Sequence, residues 1–144
     1  MVHQASLKKM LAHQFFKKKQ PKSTGKEIFN LRFIPKNLFK QSHEDILATL
    51  TEVTALTIAR AIKQKEKSIN EITACGGGIK NIFLMERIGH HVSSEIVSSK
   101  TMGYDPQSIE AMAFGWLARQ RLESNHLKVG KKKGLLGKIT KFKS

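Results

Sequence analysis

The chain has 144 residues, 40% of them hydrophobic, with 3 prolines and one cysteine, a composition that suits one soluble globular domain with a real core. Its longest apolar stretch, residues 111–118, falls far short of the roughly 20 residues needed to span a bilayer. The formal net charge of +15 sits at the ends: residues 1–26 and 128–144 each hold seven lysines and no acid, and the span between them is nearly neutral. A nucleic-acid-binding domain usually carries its charge on the folded body, so no specific nucleic acid is expected as a partner. The lone Cys75 excludes an intramolecular disulfide, and no signal peptide is evident, which together point to a reducing cytoplasm.

Residues 5–18 read as a helix, with Leu7, Met10, Leu11 and Phe15 at helical spacing, ended by Pro21. A loop follows at 22–26, then Phe29, Leu31 and Phe33 in alternation, and an irregular stretch at Pro35 and Asn37. Ser42 with Asp45 three positions on resembles a capping box. The helix it opens carries the stripe Ile46, Leu50, Val53, Thr54, Thr57, Ile58, Ala61 and Ile62, and Lys63 to Lys67 place positive charge at its C-terminal end.

The apolar run Ile72–Cys75 reads as a buried strand, broken by Gly76-Gly77-Gly78. A helix is expected from about Asn81 to His91 with Ile82, Met85, Ile88 and Val92 inward. A second strand is expected at 95–97. Asp105-Pro106 opens a last helix, Asp as cap and Pro at the first helical position. Its inward face is Ile109, Met112, Ala113, Trp116, Leu117 and Gln120, so Trp116 reads as core. Strands alternating with helices predict an α/β fold with locally parallel strands. Two strands alone make a poor independent sheet, so something else should complete it or cover it.

Three glycines between a strand and a helix have two readings. One is a tight strand–helix turn. The other is a nucleotide site, where backbone lacking Cβ atoms approaches the ligand and the following helix offers free N–H groups. Asn81 either caps that helix or bonds the ligand. The pattern is neither a Walker A sequence nor G-x-G-x-x-G. Cys75 reads as a core filler without metal-ligand partners, and His90-His91 as a polar helix end.

Read together, several stretches resemble the anhydro-N-acetylmuramic acid kinase family, within the actin, hexokinase and Hsp70 ATPase superfamily. They are 21–31 (PKSTGKEIFNL), 45–55 (DILATLTEVTA), 75–81 (CGGGIKN) and 103–118 (GYDPQSIEAMAFGWLA), and the resemblance covers roughly residues 5–124. It implies a ribonuclease-H-like C-terminal lobe of an actin-like ATPase fold, a small sheet with packed helices, over residues 1–127. It implies ATP and Mg²⁺ as cofactors, with cleavage of the 1,6-anhydro ring and phosphorylation of O6 in cell-wall sugar recycling. Gly76, Gly77, Gly78 and Asn81 would then form the nucleotide-binding turn. Glu110 would contact the sugar, although a carboxylate in a first helical turn is favourable on its own.

The same resemblance places the phosphate-binding hairpin and the catalytic Asp on an N-terminal lobe that this sequence does not contain. Asp45 and Asp105 both read as helix caps, so the chain is expected to be inactive unless that lobe is supplied as a separate partner. The alternative is a non-catalytic remnant or binding module that uses its basic ends. A homodimer is left open. The tail after about Asn125 is expected to depart from the family, and residues 128–144 form its basic part. They read as a solvated basic tail, or as an amphipathic helix presenting Leu135, Leu136, Ile139 and Phe142 to an anionic membrane or offering its charge to nucleic acid.

Overall fold

Among the described residues, both hydrophobic clusters are built on one helix, α3 (His43–Lys65). The computed structural model describes residues 1–19, 22–65, 69–129 and 132–140. Ahead of α3 lie α1 (Gln4–Leu11), a one-turn α2 (Gln14–Lys17) and two 3₁₀ turns, Leu31–Phe33 and Leu38–Lys40. After it come β1 (Glu71–Ala74), a 3₁₀ turn at Gly77–Lys80, α4 (Ile82–Val92) and β2 (Glu95–Ser98). A 3₁₀ turn at Ser99–Met102, α5 (Ile109–Leu122), β3 (Leu127–Val129) and β4 (Lys132–Gly134) complete the order. β1 and β2 pair in parallel with Ile72 beside Ile96, and α4 is the crossover between them. The result is the expected α/β class, helices with small sheets.

The helix expected over 5–18 is broken in two. α1 ends at Leu11 with Ala12 as its C-cap, and His13 turns out of helical geometry so that its Nδ1 accepts from the Phe15 amide at 3.2 Å. The break swings Phe15 and Phe16 into an aromatic group with Phe29 and Phe33, whose ring centroids lie 5.1–6.3 Å apart. The alternation at 29–33 does not make a strand. Asn30 prevents it: Oδ1 accepts from the Arg32 amide at 2.9 Å, and Nδ2 donates to the Lys26 and Glu27 carbonyls at 3.0 Å, closing a 3₁₀ turn. Such local side-chain bonds compete directly with strand pairing.

The first cluster joins Leu7 and Met10 of α1, the fully buried Leu38 and Val53 of α3. Ser42 Oγ caps α3 as expected, accepting from the Asp45 amide at 3.2 Å. The second cluster joins Ala55 and Ala59 of α3 to Ile88 and Val92 of α4, with Ile72 and Ile96 of the sheet against it. The two alanines let the helix backbones approach closely, and α3–α4 is the most extensive packing between elements.

A carboxylate is buried at that seam. Glu52 is only 4% exposed. Arg87 grips it with two bonds, Nε to Oε2 at 2.7 Å and Nη2 to Oε1 at 2.8 Å, and His91 Nε2 lies 2.7 Å from Oε1. The Arg87 hydrogen bonds hold the Glu52 carboxyl below its ordinary value of about 4.5, against the opposing effect of burial and with help from His91. His91 therefore belongs to an interhelical network and is not merely a polar helix end; only His90 is exposed.

Elsewhere burial is less complete than the hydrophobic pattern implies. β1 alternates exposed and half-buried residues and is not buried on both faces. Ile82 stands exposed at the start of α4. The α3 stripe splits: Val53 enters the core, while Ile58 is 37% exposed. α5 has no fully buried residue; Ile109, Leu117 and Gln120 are half-buried, but Met112, Ala113 and Trp116 are exposed. Trp116, at 53% exposure, is not core. Among the described residues no helix or strand packs extensively over α5, so its apolar face has nothing to bury against.

Asp105-Pro106 does not open α5 directly. Asp105 Oδ1 accepts from the Gln107 amide at 3.2 Å and Oδ2 from Ser108 Oγ at 2.8 Å, a separate turn, and the helix begins at Ile109. Beyond α5 the tail forms an antiparallel hairpin, Leu127–Val129 against Lys132–Gly134. No helix forms over 132–140; glycine is a poor helix former, and Gly137 has φ +81°. Phe142 lies outside the described residues. Among the described residues no helix is long and apolar enough to cross a membrane.

Removing Glu52 strands a partly desolvated guanidinium. Glu52→Ala is expected to cost about 2–3 kcal/mol, below the cost for a fully buried pair because Arg87 keeps some hydration. A lowered carboxyl pKa contributes stability above the ordinary value and loses it as pH falls through the folded value. Urea unfolding should therefore show the wild type losing more stability than Glu52→Gln as pH drops below about 4.5. Equal losses would refute the pairing.

Candidate functional site

Ligands of open α/β sheets bind beyond the carboxyl ends of parallel strands, and both strands here end in tight turns. β1 runs out through the exposed Cys75 into Gly76-Gly77-Gly78, and β2 runs into Ser99–Met102. Cys75 is thus not a core filler. The second turn reaches back to the first strand: Thr73 Oγ1 of β1 donates to Met102 Sδ at 3.7 Å. The chain then reverses at Gly103, which has φ +82°, and returns to β1, where the Gly76 amide donates to the Pro106 carbonyl at 2.8 Å. That bond fixes the segment leading into α5 beside the glycine turn.

The three glycines have different physical reasons. Gly76 has φ +82° and ψ −179°, a region that is essentially glycine-only. Gly77 and Gly78 have no positive φ, and a Cβ built on either meets nothing within 4 Å. They are not needed for packing; they leave open, side-chain-free backbone facing solvent, which fits the approach of a flat or phosphate-bearing ligand. Asn81 caps α4, its Oδ1 accepting from the Leu84 amide at 2.9 Å. Of the two readings for this residue, capping is the one made here.

Lys80 and Lys100 are the charges that the sequence did not single out. They come from different turns, and both lie close enough to Asp105 to favour its charged form. The larger causes of that lowered carboxyl pKa are hydrogen bonds from Ser108 Oγ and the Gln107 amide. Glu110 is exposed in the first turn of α5, four residues beyond the Pro106 anchor. Asp45, the other aspartate, pairs with the N-terminal amine of Met1 at the start of α3, away from this rim. Among the described residues, no group of three His, Cys, Asp or Glu side chains gathers to hold a metal.

A sequence model of the family described as anhydro-N-acetylmuramic acid kinase matches residues 1–140. The chain belongs to the anhydro-N-acetylmuramic acid kinase family. It is 42% identical to the anhydro-N-acetylmuramic acid kinase of Gamma-proteobacterium EBAC31A08 over 99% of its own length and 40% of that protein. It is 44% identical to the kinase of that name from Pseudomonas savastanoi pv. phaseolicola over 85% of this chain and 35% of the relative. With the Hahella chejuensis kinase the figures are 42%, 84% and 33%. The chain thus spans 40% or less of the length of these kinases.

The contrast among the glycines is testable without a ligand. Gly76→Ala should cost about 1–3 kcal/mol through backbone strain, whereas Gly78→Ala should stay within about 0.5 kcal/mol. Thermal unfolding of the two variants reads this directly. Equal destabilisation would mean that Gly78 is also a structural glycine.

Proposed function

We propose that this chain is the nucleotide-side portion of an anhydro-N-acetylmuramic acid kinase, folded as part of a ribonuclease-H-like lobe. The observation that carries the reading is the glycine turn at the carboxyl edge of the parallel strands, in a chain matched by the family model over residues 1–140. Gly76 sets the turn, Gly77 and Gly78 let the nucleotide lie against bare backbone, and Asn81 holds the first turn of α4 in place. Lys80 and Lys100 add positive potential at the rim where phosphates would lie. Glu110, carried at the start of α5, would accept a sugar hydroxyl.

ATP would supply the phosphoryl group, and Mg²⁺ would arrive with its phosphates. The described residues offer backbone and cations, the groups that position phosphoryl oxygens. Neither of their two aspartates is free to serve as the base. Asp105 is engaged by its own turn and Asp45 by the N-terminal amine. The base would come from the further polypeptide that the kinase relatives possess, docked on the exposed apolar face of α5 and on the open sheet.

Calorimetry with MgATP should give weak, saturable binding to the wild type, lost in Gly78→Val while its thermal midpoint stays unchanged; binding that survives this variant would move the nucleotide elsewhere. The chain alone should give no turnover of ATP with 1,6-anhydro-N-acetylmuramic acid. Turnover should appear when the remaining portion of a kinase relative is added, and Trp116 fluorescence should shift to the blue as its ring is covered. Turnover by the chain alone would sink the need for that portion.

A further inference from the structure

Among the described residues, nothing beyond Ile96 belongs to either hydrophobic cluster, so the basic segment after α5 contributes little to the core. It forms the β3–β4 hairpin, and the hairpin sorts its side chains, because successive residues of a strand point to opposite faces. Lys128 stands directly across from Lys133 on one face, both exposed, while the half-buried Leu127 is paired with Gly134 on the other. Like charges directly opposite are destabilising in an antiparallel pair. Among the described residues neither lysine has an ion-pair partner. The nearest acid in sequence, Glu123, is taken by Arg119 Nε at 2.7 Å and Asn125 Nδ2 at 3.0 Å. The hairpin therefore holds two cations side by side without supplying an anion between them.

What surrounds the pair selects the anion. Residues 128–144 hold seven lysines, no arginine and no acid. Arginine is the side chain of bidentate phosphate and base recognition, whereas lysine acts as a point charge, which suits a diffuse negative surface. Stacking on bases needs aromatic rings, and the single one in this stretch is Phe142, outside the described residues. Leu135, Leu136 and Ile139 follow the hairpin lysines instead, and all three are exposed, with the exposed Lys138 among them. Such apolar side chains have a destination at the headgroup and acyl boundary of a bilayer and none on a nucleic acid. Charge complementarity and the adjoining apolar residues thus favour the same occupant, an anionic lipid surface.

We infer that the β3–β4 hairpin and residues 135–139 form a docking surface for an anionic lipid bilayer, with Lys128 and Lys133 meeting lipid phosphates and Leu135, Leu136 and Ile139 entering the interface. Sedimentation of the full chain with vesicles of equal parts phosphatidylglycerol and phosphatidylcholine tests it. The chain should bind these vesicles, less as salt rises, and should not bind vesicles of phosphatidylcholine alone. Reversing both hairpin charges, Lys128→Glu with Lys133→Glu, should weaken the partitioning by roughly tenfold or more. Leu135→Ser, Leu136→Ser and Ile139→Ser together keep every charge and should also weaken it by roughly tenfold or more.

Both variants lie outside the two clusters and should fold, which circular dichroism checks. The inference is overturned by absent binding, by equal binding to phosphatidylcholine vesicles, or by undiminished binding in either folded variant. Tighter binding to duplex DNA than to the anionic vesicles would make nucleic acid the partner and overturn it. Loss of vesicle binding on addition of the remaining portion of a kinase relative would assign the segment to an interface within the kinase and overturn it as well. Gly78→Val should bind vesicles as the wild type does, so failure here and failure of the nucleotide reading are separable.

Discussion

One carboxylate, Glu52, governs how this chain is assembled. It sits at the seam where α3 meets α4, and its charge is tolerable there only because Arg87 and His91 both reach it. The alanines beside it let the helices close, and the charged pair sets their register. α4 begins at the glycine turn, so the geometry that fixes α4 also fixes the rim of the candidate site. The other side of α3 holds the N-terminal segments through Val53, Leu7, Met10 and Leu38. α3 is therefore shared by two cores that otherwise have little to do with each other.

The candidate site rests on main chain more than on side chains. Its glycines divide into one that the backbone conformation requires and two that packing does not. The bond from the Gly76 amide to the Pro106 carbonyl turns a local loop into a junction, bringing the start of α5 and its Glu110 to the same edge of the sheet. Both aspartates are engaged locally, Asp105 by its own turn and Asp45 by the N-terminal amine. The chain spans 40% or less of the length of the kinase relatives it matches. The exposed face of α5 and the two-stranded parallel sheet fit the same picture, since parallel sheets are ordinarily covered on both faces.

Much of the local order was legible in the residues. Ser42 caps α3, β1 and β2 fall where the β-branched runs lie, and Gly76–Gly78 follows β1 as a turn. What was not legible depended on competition between local and distant bonds. His13 breaks the first helix and Asn30 turns an alternating run into a 3₁₀ turn because each side chain satisfies nearby backbone groups. Glu52 gave no signal at all: a glutamate on a helix reads as solvated until an arginine 35 residues away is placed beside it.

The sequence by itself determined the α/β class and the elements that form the rim, because these follow from periodicity, caps and a glycine run that ends β1; the family was legible in the motif stretches 21–31, 45–55, 75–81 and 103–118. Tertiary structure decided burial. A hydrophobic stripe states that a face wants to leave water, not that a partner is present. Ile58 and Trp116 have the same periodic credentials as Val53 and Ile88, yet only the latter two find packed neighbours. The uncovered part of the α3 stripe and the bare face of α5 exist for that reason.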